Sequence, residues 1–217
     1  MASNVIRVLI ETTPKKTFAS ALDWPGLARS GRDEVAAVEA LLAAADRYAP
    51  IAAGAGLAFD TDEIELVVEE RVPGDATTAF GAPAIVASAD RTPVSEADGD
   101  RLASIVAAAW AALDRIAAAA PDELRKGPRG GGRDRTKMVG HVIDAEAAYA
   151  NVLGRKPSPV DAASVAAMRT DLLTVLRQPS DGSPVAGRRW PQRYAARRIA
   201  WHTLDHAWEI EDRTESG

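Results

Sequence analysis

The chain has 217 residues, of which 47% are hydrophobic and 26% are charged, and its formal net charge is −5. These values are typical of a globular protein with one or two domains, and the negative charge argues against nucleic acid or a membrane surface as the main partner. The chain contains no cysteine, which excludes disulfides, thiolate zinc sites and cysteine nucleophiles.

Targeting signals are not visible in the sequence. No apolar stretch approaches the length of a membrane span, and the first 16 residues lack a basic region followed by an apolar one. We therefore expect a cytoplasmic protein that acts on a small molecule, with no membrane and no nucleic-acid partner.

The first third of the chain predicts a small domain of mixed structure. Apolar and polar residues alternate along three segments, which is typical of strands: residues 4–11, 17–22 and 63–72. An amphipathic helix is predicted over residues 33–49, after an N-cap signal at Ser30 to Asp33. The order predicts a β-β-α-β domain over residues 1–90, and residues 73–94, rich in Pro, Gly and small side chains, form a connector.

The rest of the chain has the periodicity of long helices. Four segments carry apolar residues at helical spacing, separated by short loops with Pro or Gly: residues 95–120, 134–153, 160–177 and 190–212. Four helices of this length predict an antiparallel four-helix bundle over residues 91–217. The chain as a whole is therefore expected to be α+β.

The histidines indicate a metal site. His202 and His206 are four residues apart, so they lie on one face of the last predicted helix. His141, the only other histidine of the chain, lies on an earlier predicted helix. Three imidazoles from two helices can hold one divalent cation and leave coordination positions open, as in catalytic sites. Imidazole suits zinc, nickel, copper and iron, and we expect zinc or nickel. The alternative is that these histidines are polar residues without a ligand.

Acidic residues near the histidines are candidates for proton transfer. Glu209 shares the stripe of His202 and His206, so it could be a fourth ligand or accept an imidazole N–H. Asp144 follows His141 by three residues and could orient it. We expect Glu209 and Asp144 to serve as catalytic groups.

Basic residues near the same positions predict an anion site. Residues 126–133 form a basic, glycine-rich loop just before the helix of His141, and exposed N–H groups at a helix start favour an anion. We expect Arg129 and Arg133 of this loop, together with Arg198 on the histidine helix, to bind an anionic group of a cofactor or substrate. A solvated loop without a ligand is the alternative.

Two further patterns occur on the last predicted helix. Trp201 and Trp208 are seven residues apart and indicate either helical core or an aromatic wall of the pocket. Arg189, Arg193 and Arg197 repeat every four residues, which is typical of a solvated face or of partners for acidic helices, and less often of a docking face.

The residues quoted above carry two resemblances. Residues 95–213 resemble the DinB/YfiT-like family of four-helix bundles, in which a histidine on the second helix and an HxxxH pair on the fourth bind a divalent metal. The corresponding positions here are His141, His202 and His206. The N-terminal half is similar to the HicB antitoxin fold through its hairpin, the turn at Trp24 to Gly26 and the helix that follows.

The first resemblance implies an enzyme. Some DinB-like proteins are metal-dependent enzymes that use low-molecular-weight thiols, including mycothiol-dependent maleylpyruvate isomerases and bacillithiol transferases. It implies a metal that activates water or a thiol, in a transferase, isomerase or hydrolase, and a thiol must come from outside because the chain has no cysteine. The alternative is a non-catalytic, metal-stabilised scaffold whose antitoxin-like domain binds a partner. A homodimer fits either reading.

Overall fold

The computed structural model describes residues 4–126 and 132–214, and these form an α+β protein, as predicted. The strands are β1 (Asn4–Thr12), β2 (Thr17–Ala21), β3 (Ala28–Gly31) and β4 (Ile64–Pro73). The helices are α1 (Glu34–Ala43), α2 (Ala45–Gly54), α3 (Ala76–Phe80), α4 (Glu96–Ala119), α5 (Arg135–Val152), α6 (Ala162–Arg177) and α7 (Gln192–Thr214).

The four strands form one mixed sheet in the order β3-β2-β1-β4. Strands β1 and β2 form an antiparallel hairpin with Val8 opposite Ala21, and β1 and β4 run parallel. A parallel pair needs a crossover, which α1 and α2 supply. The alternation along β1 buries Ile6, Val8 and Ile10 in the core, as its sequence predicted.

Two details of the predicted N-terminal domain were wrong. Strand β3 was missed, because its four residues show no apolar alternation and it is held by pairing with β2. The helix predicted over residues 33–49 is two helices that meet at Ala44, and the second continues through Pro50 to Gly54. No Gly or Pro at the junction marks this break in the sequence.

The four long helices lie within two residues of their predicted bounds, and local capping signals mark the start of two of them. Ser95 accepts a hydrogen bond from the backbone N–H of Asp98 at the start of α4, and Asp161 accepts one from Ser164 at the start of α6. Helix α4 packs against α6 and α7. Helix α5 contacts α7 more extensively than it contacts α6.

The sheet and the long helices share one hydrophobic core. Val8 of β1 and Tyr48 of α2 belong to the same buried cluster as Leu102 of α4 and Leu204 of α7. Gly26 has a φ of +97°, and a Cβ there would lie 2.7 Å from the Leu204 side chain. The glycine thus lets the turn after β2 approach α7 closely.

The connector is attached to both the sheet and α7. The buried carboxylate of Glu11 accepts hydrogen bonds from the backbone N–H groups of Ala84 (2.9 Å) and Ile85 (3.2 Å). The Tyr194 hydroxyl of α7 donates to the Ala84 carbonyl at 3.0 Å. This segment therefore has a fixed position beside the N-terminal half of α7.

Helix α4 is long and apolar enough to cross a membrane by length and composition alone, so the prediction that no stretch approaches that length was wrong. Core helices pass the same test. Eleven of its residues are buried in the fold.

Candidate metal centre

The structure brings the three histidines together, and we call them the histidine cluster. His141 comes from α5, and His202 and His206 come from successive turns of α7. Their candidate ligand nitrogens all lie within 4.8 Å of one another. The ring centres form a nearly equilateral triangle with sides of 4.7, 5.0 and 5.1 Å.

The size of this triangle fits a metal ion. Three imidazoles bound tetrahedrally at the usual zinc–nitrogen distance of about 2 Å place their ring centres roughly 5 Å apart. In addition, Nδ1 of His202 is buried and has no hydrogen-bond partner among the described residues. Buried polar atoms normally have a partner. A metal ion bound between the three rings would provide a partner for the nitrogens of this cluster. The histidine cluster can therefore hold a divalent cation.

The surroundings of His202 and His141 favour neutral imidazoles, which is the form that binds metals. Burial lowers the pKa of His202 to about 3, and repulsion from the other two histidines when they are protonated, and from Arg198, adds to this effect. Burial and the charge of Arg133 lower the pKa of His141 as well. Both rings therefore have lone pairs available at neutral pH.

Glu209 is hydrogen-bonded to one histidine of the cluster. Its carboxylate lies 3.1 Å from Nδ1 of His206 and 3.2 Å from a guanidinium nitrogen of Arg213. The hydrogen bond from His206 lowers the pKa of Glu209, so the carboxylate is ionised. With Nδ1 in this bond, Nε2 of His206 is the nitrogen available to a metal. Of the two predicted roles, the geometry favours the acceptor of an imidazole N–H.

Arg213 fixes this arrangement to the start of α5. Its guanidinium donates to the carbonyls of Arg125 and Arg133, both at 2.7 Å. The side chain is only 10% exposed. Its two hydrogen bonds to these carbonyls join the end of α7 to the segments on either side of residues 127–131.

The other predicted site residues have different positions. Asp144 is exposed, and no hydrogen bond joins it to His141 within the described part of the chain, although its charge acts on that ring. Arg133 is exposed and acts on two of the histidines through its charge. Arg129 lies outside the described residues. The nearby Lys126 and Arg135 are paired with Asp134 and Asp122.

Arg198 lies next to the cluster, one turn before His202 on α7. Its guanidinium carbon is 5.0 Å from the ring centre of Trp201 and 5.7 Å from that of Tyr149. The same two rings lie 6.1 and 5.9 Å from the His202 ring. Two aromatic side chains therefore connect the arginine to the candidate metal site.

The aromatic and arginine patterns of α7 belong mainly to the packing. Trp201, Trp208 and Tyr194 are all buried, in agreement with a core role, and Trp201 is also adjacent to the cluster. Arg193 pairs with Asp98 of α4, and Arg197 is buried and pairs with Asp90 of the connector.

A large groove lies elsewhere. It has a volume of about 840 Å³ between α4, α5 and α6, with Trp110, Ile143 and Arg169 in its lining. Asp144 lines it, whereas none of the three histidines does. The groove is therefore separate from the histidine cluster.

Sequence reasoning missed Tyr149 and Arg213. Arg213 could have been found, because it follows Glu209 by four residues on the stripe that contains Arg198, His202 and His206. Tyr149 comes from α5, and its place beside Arg198 depends on how α5 and α7 pack, which no local pattern encodes.

Comparisons of the chain with protein-family models, with curated proteins and with solved structures found no match. The resemblances to DinB-like and HicB-like proteins therefore stay predictions, and the geometry of the cluster has to carry the functional argument.

Proposed function

We propose that this chain is a divalent-metal-dependent enzyme of the DinB-like type. In this proposal α4 to α7 are its antiparallel four-helix bundle, and His141, His202 and His206 hold zinc or nickel. Bound there, such a metal supplies Lewis-acid chemistry, lowering the pKa of a bound water or external low-molecular-weight thiol, or polarising a carbonyl. Transferase, isomerase and hydrolase reactions all use this chemistry, and the cytoplasm is the proposed location.

The observation that carries the proposal is the convergence of three imidazoles whose candidate ligand nitrogens lie within 4.8 Å of one another, together with the buried Nδ1 of His202, which has no partner among the described residues. A closed structural site usually has four protein ligands. Among the described residues the cluster contains three, so water, thiol or substrate would complete the coordination.

The neighbouring side chains have separate tasks in this proposal. Glu209 keeps His206 in the tautomer whose Nε2 faces the site, and its position in turn depends on Arg213. Glu209 is the better placed of the two predicted proton-transfer groups, because Asp144 is exposed and has no hydrogen bond to a histidine. Tyr149 and Trp201 cover His202 and keep bulk water from that side.

A non-catalytic scaffold is the second candidate, and one observation favours it. His202 is only 8% exposed and joins α7 to the single histidine of α5, so a metal here would cross-link two helices. In that case the metal would stabilise the fold, and the sheet domain would bind a partner or a second copy of the chain.

One experiment separates the two candidates. Untagged wild-type protein and the His202→Ala variant are compared for metal content, for melting temperature and for reaction with an electrophile in the presence of cysteine or glutathione. The enzyme proposal predicts that the variant folds with a melting temperature close to that of the metal-free wild type but loses metal and turnover. A wild type that binds metal, gains many degrees of stability from it and does not accelerate the reaction of either thiol with the electrophile would favour the scaffold.

A further inference from the structure

Arg198 differs from its neighbours because it has no acidic partner in the part of the chain that the structure describes. Arg193, Arg197 and Arg213 on the same helix each pair with a carboxylate within 3.2 Å. No carboxylate within residues 4–126 and 132–214 forms an ion pair with Arg198. Its charge is half-buried, and partly buried cations normally have an anionic partner.

The guanidinium is nevertheless held in a fixed position. One nitrogen donates to the Pro83 carbonyl of the connector at 2.9 Å, and the planar group lies near the rings of Trp201 and Tyr149. Trp201 is itself held by an edge-to-face contact with Phe18 of β2, with ring centres 6.0 Å apart. The sheet, the connector and α5 therefore all contribute to placing a cation that α7 carries.

The position of this cation relative to the histidines is suitable for a bifunctional ligand. Arg198 precedes His202 by one helical turn on the same stripe, and Tyr149 and Trp201 contact both side chains. A small molecule could reach the metal with one group and the guanidinium with another.

We propose that Arg198 is the receptor for a carboxylate of the substrate or thiol, and that this carboxylate is separated from the metal-bound group by a few bonds. The inference rests on the proposed metal site and specifies the ligand that this site selects. A carboxylate fits better than a phosphate, because Arg198 offers a single guanidinium and the Pro83 carbonyl already uses part of it. Arg198 is thus a specificity-determining residue.

The test uses the intact chain loaded with cobalt(II), whose visible spectrum changes when a thiolate binds. The probes are 3-mercaptopropanoate and its methyl ester, which have the same chain length but differ in charge. We expect the acid to bind the wild type about tenfold more tightly than the ester, the size expected of one charge-assisted hydrogen bond.

Two variants assign this preference to a residue. Arg198→Gln should bind cobalt like the wild type but show no difference between acid and ester, and Arg198→Lys should recover part of the difference. Arg101→Gln is the matched control, since Arg101 also donates to a backbone carbonyl (Asp23, 2.8 Å) and lies over a tryptophan (Trp24, 4.2 Å), with no contact to the histidine cluster. It should keep the full preference.

The outcomes are distinct. Equal binding of acid and ester by the wild type, or a preference that persists in Arg198→Gln, would overturn the carboxylate receptor while leaving the metal site intact. Inorganic phosphate that displaces the acid more effectively than acetate does would also overturn the assignment to a carboxylate. A protein that develops no cobalt spectrum would refute the proposed metal function itself.

Discussion

Two buried polar side chains of α7, Arg197 and His202, lie five residues apart and are satisfied in different ways. Arg197 donates from Nε to Oδ1 of Asp90 at 2.9 Å, and Asp90 also accepts the backbone N–H of Ala87 at 2.8 Å. His202 instead has an Nδ1 without a partner among the described residues, and the charges that act on it come from two histidines and from Arg198 and Arg133.

The comparison distinguishes a polar side chain of α7 whose partners belong to the fold from one that is available to a ligand. The Arg197–Asp90 pair holds the connector on α7, and its polar groups are matched within the fold. In the histidine cluster the candidate ligand nitrogens lie within 4.8 Å of one another, and the buried Nδ1 of His202 has no partner among the described residues, an arrangement that costs free energy unless a cation is bound. The following predictions test this distinction, in order of decreasing effect.

The largest effect should come from Asp90→Ala, because it leaves the buried Arg197 charge without a partner. We expect a loss of about 3–5 kcal/mol in the free energy of unfolding, measured by urea denaturation. The control is Asp100→Ala, which removes a surface pair with Arg177 at 3.7 Å and should cost less than about 1 kcal/mol. Equal losses in the two variants would show that the buried pair has no special role in the fold.

Next in size is the loss of metal affinity in His202→Ala. Removing one of three ligands should weaken binding by at least about 100-fold, measured by competition with a chromogenic chelator. Thr203→Val is a suitable control, since Thr203 is the adjacent buried residue and its hydroxyl donates only to the Ile199 carbonyl. Unchanged affinity in the histidine variant would place any bound metal elsewhere.

The stability of the metal-free protein should depend on pH through His202. Its pKa is about 3 in the fold against 6.5 in the unfolded chain, so the unfolded state binds the extra proton between these values. The stability that depends on a neutral His202 is therefore fully present above about pH 6.5 and is lost as the pH falls towards 3. Between pH 7 and pH 5 we expect a loss of about 2 kcal/mol in the wild type.

Urea denaturation in the presence of EDTA at several pH values measures this slope. His202→Ala should lose most of it, because the histidine that takes up the proton is absent. A variant as pH-sensitive as the wild type would assign the dependence to other groups.

The smallest effect should be that of Glu209→Gln. Loss of the carboxylate that accepts from His206 Nδ1 should weaken metal binding by about tenfold, as is usual for groups that orient a ligand. Glu211→Gln provides the control, since Glu211 pairs with Arg47, away from the cluster. Calorimetric titration with zinc measures both, and a similar change in the two variants would remove the orienting role of Glu209.

The sequence predicted the long helices and the histidine pair of α7 because both depend on local spacing. The 3.6-residue repeat predicted the bounds of α4 to α7 to within two residues, and the four-residue spacing of His202 and His206 placed them on one face. The prediction that His141 joins them needed only the correct pairing of two helices.

Features that depend on distant contacts could not be predicted in this way. Strand β3 has no alternation of its own, and the shared core of sheet and helices is invisible to periodicity. The partners of α7 were equally hidden: Asp90 and Pro83 of the connector lie more than 100 residues away from the arginines they contact. The asymmetry between Arg197 and Arg198 therefore emerged only from the structure.

The metal content of untagged protein tests the central claim most directly. Protein purified without a histidine tag, incubated with zinc or nickel and freed of excess ion, should contain close to one metal per chain by inductively coupled plasma mass spectrometry. The variant in which all three histidines are replaced by alanine should contain none. A folded wild type with no more metal than this variant would contradict the account.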